Sequence, residues 1–180
     1  YQVNQFRNQN RTLTDKLKYF QARHQSVLDI SEACLAQQEN MFSVKSIEEL
    51  YDSFYQFLSQ YYDVNYLLFF IFVKKRPYED YKGLRFRKSN SKIQHLFTGL
   101  FNHNKPLCDC LQNDYIEFLF GKKACTISST AVFPVQTELP LGLMIIASRE
   151  KDRYEHGLAL NMLNQLKSIF IEQLFKFIWH

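Results

Sequence analysis

The chain has 180 residues, a length that fits one domain plus an extension. Hydrophobic residues make up 46% and aromatic residues 16%, which supports a sizeable core and excludes a disordered polypeptide. The formal charge is +4, the four cysteines follow no framework spacing, and the longest apolar run, Tyr66 to Val73, is far too short to span a bilayer. A cytoplasmic protein with no membrane partner is expected. The chain starts at Tyr1, so the native start is expected to lie upstream, and no signal segment is visible.

Residues 2–42 contain no Gly and no Pro. Phe6, Leu13, Phe20, Val27, Cys34 and Met41 recur every seven residues, and Val3, Asn10, Leu17, His24, Ser31 and Gln38 form a mixed companion row. This pattern predicts a long helix with a coiled-coil-like seam. Leu28, Leu35 and Phe42 widen the apolar face further along, as expected where such a helix passes onto a domain. The expected division is a dimerisation helix over 1–43 and a domain over 44–180. Val3, Phe6, Asn10, Leu13, Leu17, Phe20 and Val27 are the candidate dimer contacts. The alternative is a helix folded back on its own domain.

Ser46-Ile47-Glu48-Glu49 is a capping box that opens a second helix, with Leu50, Phe54, Phe57, Leu58 and Tyr61 on its apolar face. The aromatic run Tyr66 to Val73 predicts a strand buried on both faces. Leu84 to Arg87 alternates and predicts an edge strand after a turn at Lys82-Gly83. Ser91 is a candidate cap for a helix carrying Ile93, Leu96, Phe97 and Leu100, and Asn113 for a short helix that stops at Gly121. Short strands are expected at PLCDCL, Ser129 to Val135 and Leu141 to Ser148, the last two joined by a hairpin over 136–140. A final helix is expected from about Leu158 to the end, with Leu163, Leu166, Phe170 and Leu174 in helical spacing.

Few constellations carry chemistry. Cys108-Asp109-Cys110 is the most metal-like feature, with Cys125 as a third candidate ligand and His95 or His103 as a fourth. A lone C-x-C is poor support for zinc, and packing as small buried hydrophobes is the preferred account, so no metal is expected. The hydroxyls of Thr126, Ser128, Ser129 and Thr130 lack the G-x-S-x-G context, and no phosphate-cradling glycine loop is present, so neither a catalytic set nor a cofactor is expected. Between Lys74 and Lys92, eight basic residues face two acidic ones, a net of +6. Lys74, Lys75, Arg76, Arg85, Arg87 and Lys88 form the candidate polyanion patch, interleaved with Tyr78, Tyr81 and Phe86. The bland reading of this segment is a solvated loop.

Read in order, Gln2-Val3, Phe6-Arg7-Asn8-Gln9-Asn10-Arg11, Pro106-Leu107-Cys108, Leu119-Phe120-Gly121, Ala131-Val132-Phe133-Pro134-Val135, Leu141-Gly142-Leu143, Ala147-Ser148-Arg149 and Asp152-Arg153-Tyr154 form a specific ordered set. The set resembles the bacterial GAF-like family catalogued as domain of unknown function 484, over nearly the whole chain. His156-Gly157-Leu158 departs from the Pro- and Gly-rich helix start usual there. The resemblance implies an α/β fold: a GAF-like, mostly antiparallel sheet flanked by helices, behind a long N-terminal helix. It implies no activity, since the family has none established. The Asn-Lys-Phe-Asp-Glu signature of cyclic-nucleotide-binding GAF domains and the Cys-His pair of bilin-binding ones are missing.

The expected function is a non-enzymatic sensory or scaffolding domain, homodimeric through its terminal helices, with a small-molecule ligand between sheet and helices. By fold analogy alone, the pocket walls would be Phe70, Phe72, Arg85, Phe97, Cys108 and Thr130. The alternative is a basic nucleic-acid- or polyanion-associated accessory protein. A third reading is a degenerate GAF-like domain whose pocket is filled by Phe and Tyr, leaving only protein contacts.

Overall fold

The computed structural model describes residues 2–73, 78–89, 97, 99, 106–108, 111–136, 140–151, 153–154 and 157–179, with side chains throughout except at 2–9, 20, 22–24, 26, 136, 140, 157–159 and 179. The candidate helix start at Ser91, the metal candidates His95, His103 and Cys110, and the patch residues Lys74, Lys75 and Arg76 lie outside the described residues, as does most of the hairpin loop.

The chain forms two compact units, residues 1–36 and 37–180, and the division falls inside helix α1 (Gln2–Ser43). With no Gly or Pro to break it, α1 runs unbroken for 42 residues. Leu13 and Leu17 are exposed on its first part, and Val27 is half-buried.

In the second unit, α2 (Ile47–Tyr62) starts where predicted. The Ser46 hydroxyl accepts from the Glu49 amide at 3.1 Å, and the Glu49 carboxylate reaches back one residue beyond the expected partner, to the Lys45 amide at 2.9 Å. Asp63 ends the helix in the left-handed conformation at φ 51°. Strand β1 (Tyr66–Val73) follows, then β2 (Leu84–Lys88), β3 (Leu107–Cys108), α3 (Asn113–Phe120), a 3-10 helix (Gly121–Thr126), β4 (Ser129–Gln136), β5 (Pro140–Ser148) and α4 (Gly157–Trp179). Two details differ from expectation. Gln112, not Asn113, precedes the first turn of α3, and it makes no side-chain cap. The 3-10 helix takes Thr126, so the hydroxyl-rich stretch only becomes strand at Ser129.

The sheet order is β2-β1-β5-β4-β3. Three pairings are antiparallel and β1–β2 is parallel, so the sheet is mostly antiparallel as expected. Gly142 has to be glycine at its crossing with β1: a Cβ there would stand 2.1 Å from the Phe70 carbonyl oxygen. Pro134 lies in β4 beyond the short pairing with β3, where a missing N–H is tolerated.

Pairing register sorts the side chains into two faces. One carries Leu67, Phe69, Ile71, Leu84, Phe86, Phe133, Met144 and Ile146. It packs under α2 and α4, with the Phe54 and Phe69 rings each against Phe170. The other carries Leu68, Phe70, Phe72, Arg85, Arg87, Thr130, Val132, Leu143 and Ile145. It packs under Phe97, Leu111 and α3.

Candidate functional site

Of the six expected pocket residues, five share this second face. Phe70, Phe72 and Phe97 are all buried, in one cluster with Leu111, Val132, Leu143 and Ile145, and Tyr115, Ile116, Leu119 and Phe120 pack against it. Thr130 is buried opposite Ala147. Arg85 stands beside Phe70 in register. Cys108 does not join them. It pairs with Ala131, whose side chain is on the first face, and its thiol donates to the Tyr154 carbonyl at 3.0 Å. The centre of this face is thus occupied by aromatic rings.

Open space lies at one end of the sheet. Strand β2 begins opposite Phe69, so among the described residues no strand pairs with the first residues of β1 on that side. Backbone carbonyls left there need donors, and α2 supplies them from two tyrosines at i, i+4 spacing. The Tyr51 hydroxyl donates to the Leu67 carbonyl at 3.0 Å and the Tyr55 hydroxyl to the Asn65 carbonyl at 2.9 Å. Burial pushes the Tyr51 phenol up to about 12. Gly83 lets the chain pass close by: a Cβ there would stand 1.9 Å from the Leu67 carbonyl oxygen and 2.3 Å from the Tyr51 hydroxyl.

The resulting notch is a cleft of about 660 Å³, within the roughly 300–1,000 Å³ of small-molecule sites. Its walls bring together Tyr51 and Tyr55 from α2, Tyr66 and Leu68 from β1, Lys82 and Arg85 near β2, and Phe120 and Lys123 near the end of α3. Only Arg85 was a pocket candidate from sequence. The i, i+4 tyrosine pair of α2 was the available signal for Tyr51 and Tyr55, and nothing in the sequence joins the others to them.

Charge in and around the cleft is unevenly neutralised. Lys82 bonds both oxygens of Asp52, which also accepts from Tyr81 at 2.9 Å. Hydrogen bonding from Lys82 holds the Asp52 carboxyl below its ordinary value. Arg85 reaches Asp80 at 3.2 Å, and Arg87 grips both Asp80 oxygens at 2.8 and 2.9 Å. Burial acts to raise the Asp80 carboxyl, but hydrogen bonds from Arg87, the Phe86 amide and Arg85 outweigh it and hold it low. Two members of the expected polyanion patch are therefore tied to one carboxylate, while Lys88 is exposed.

Lys123 and Arg149 differ. Lys123 Nζ lies 5.3 Å from the centre of the Tyr66 ring and the Arg149 guanidinium carbon 5.9 Å from it. Tyr66 Oη is 3.0 Å from the Thr126 hydroxyl and accepts from Arg149 at 3.2 Å, and these contacts, Thr126 first, lower the Tyr66 phenol. Among the described residues, no group of three or more His, Cys, Asp or Glu side chains comes together. No helix among them is long and apolar enough to cross a membrane.

Comparison with known proteins agrees with the fold. The family described as "Protein of unknown function, DUF484" matches residues 1–179. No curated protein matches the sequence. Among solved structures, the crystal structure of the A. aeolicus nlh2 GAF domain in an inactive state is similar, with a TM-score of 0.54 and 12% sequence identity. The similarity covers 82% of this chain and 98% of that one, and at this identity it speaks for the fold alone.

Proposed function

The chain belongs to the DUF484 family, and from that premise we propose that it is a non-enzymatic sensory or scaffolding domain that dimerises through its N-terminal helix. The GAF-like fold suggests a sensory or regulatory domain and supports the first part. The dimer rests on one observation. Leu13 and Leu17, from the two rows of the heptad pattern, are 57% and 61% exposed on a helix of 42 residues. At 1.5 Å per residue such a helix is about 60 Å long, and an apolar row along it is stable in water when a second copy covers it. Asn10, also exposed, sits in the mixed row, where a buried Asn favours a two-stranded, in-register pair.

The test replaces Leu13 and Phe20 by Glu, placing like charges in the seam. Light scattering should report a dimer for the parent chain and a monomer for the variant, and circular dichroism should report a folded domain in both. A monomeric parent chain, or a variant that stays dimeric, would refute the helix as the dimer contact.

A further inference from the structure

We propose that the notch beside the first residues of β1 binds a small organic anion carrying a planar ring, of the aryl phosphate or aryl carboxylate class. The inference rests on the sensory reading, for which occupancy of this notch is the signal. Four rings line the cleft: Tyr51, Tyr55, Tyr66 and Phe120. So do, among the described residues, three cations, Lys82, Arg85 and Lys123, and no carboxylate.

The existing contacts decide which of these groups can meet a ligand. Tyr51 and Tyr55 each have one O–H, and each already donates it to a backbone carbonyl. Their rings stand nearly parallel, 6.4 Å apart with 10° between planes. Lys82 and Arg85 are committed to Asp52 and Asp80. Lys123 and Arg149 lack such a partner: among the described residues neither lies within ion-pair distance of a carboxylate, and both crowd the same phenol. Lys123 lines the cleft, and Arg149 stands beside it, outside that lining, bonded to Tyr66 Oη; an anion near this phenol is attracted by both charges. Arg149 spends one N–H on Tyr66 Oη and has others left for an oxyanion. The Tyr66 and Phe120 rings, both in the cleft wall, stand 6.0 Å apart at 53°, an aromatic corner against which a planar group can pack. An anionic head at Lys123 and Arg149 with a ring against Tyr66 and Phe120 uses both features at once, and inorganic phosphate uses only one.

The experiment is calorimetric titration of phenyl phosphate into the full chain. The expected result is saturable binding with a Kd below about 1 mM. Lys123→Gln and Arg149→Gln should each weaken it at least about tenfold, the loss of one charge-assisted contact. Both side chains are exposed, so the variants should keep the parent's circular dichroism and melting temperature. Cyclohexyl phosphate and inorganic phosphate should bind more weakly than phenyl phosphate, and benzoate run in parallel separates carboxylate from phosphate preference. No saturable binding, binding untouched by both substitutions, or equal affinity for phenyl phosphate and inorganic phosphate would each overturn the proposal. The dimer dissociation constant, measured with and without saturating phenyl phosphate, separates the two readings: binding without any shift keeps the site and removes the sensory role.

Discussion

On the sheet face under α2 and α4, Phe69 stacks on Phe170 with ring centres 4.5 Å apart and 12° between planes, and Phe54 stands 4.8 Å from Phe170. Six residues of α2 are buried. The opposite face has its own buried rings, Phe70, Phe72 and Phe97, yet no residue of the covering helix α3 is fully buried. That face also carries Arg85 and Arg87 at its edge strand and opens at one end into the cleft. The first face is a closed core, in which Phe69, Ile71, Phe133, Met144 and Ile146 have no exposed surface. The second carries buried rings in its middle and is loose at its margin, where Leu119, Phe120 and Lys123 meet the start of β1 along the cleft. Low burial in the covering element is what a binding surface needs, because such an element can move at little cost.

The largest effect that can break this contrast is a cavity on each face. Phe69→Ala should cost about 3–5 kcal/mol and Leu68→Ala, its half-buried neighbour on the other face, about 1–2 kcal/mol. Urea denaturation measures both. Equal losses would mean that the two faces are equally closed.

A second effect is peculiar to the closed face. Lys167 of α4 is buried, and its ammonium donates to the Pro134 carbonyl at 2.7 Å and to Asn164 at 2.8 Å. Burial lowers it from 10.5 to about 8. Between those values the unfolded chain holds more protons than the folded one, so stability should rise as pH goes from about 8 towards 10.5, by up to about 3 kcal/mol. Tyr51 acts the other way above pH 10, because its phenol is raised to about 12 and the folded chain then holds the extra proton. Chemical denaturation across pH 7–10 should show the rise, and Lys167→Met should flatten it. A flat profile in the parent chain would show that water reaches this ammonium.

The smallest expected effect concerns the margin of the open face. Asp80→Asn releases Arg85 and Arg87, whose pairs are partly exposed, at a cost of about 1 kcal/mol or less. The freed guanidinium groups should also raise salt-dependent retention on heparin. Unchanged retention would remove Arg85 and Arg87 from any polyanion surface.

Much of the fold was legible because it is written in local spacing. The seven-residue row of α1, the Ser46 cap of α2, the aromatic run of β1 and the helical spacing of Leu163, Leu166, Phe170 and Leu174 each express a preference of a short segment. The candidate site was legible only in part. Arg85 lines the cleft and Thr130 shares the second face, but Cys108 turns to the other face because its direction depends on the two-residue pairing of β3 with β4. Tyr51, Tyr55, Tyr66 and Lys123 are spread over three elements, and no sequence motif joins them.

Residue order alone determined which segments become helix and which become strand, since capping chemistry and apolar period act within a few residues. Tertiary structure alone decided which face each strand residue meets and which charges remain available. Strand β1 is apolar at nearly every position, so its sequence has no alternation from which to read a face, and only its pairing with β2 and β5 assigns one. Likewise, the basic segment reads as a run of free charge until the fold brings Asp80 to Arg85 and Arg87 and Asp52 to Lys82. Asp52 and Lys82 belong to different elements, α2 and the turn before β2, and no spacing along the chain records that they will meet.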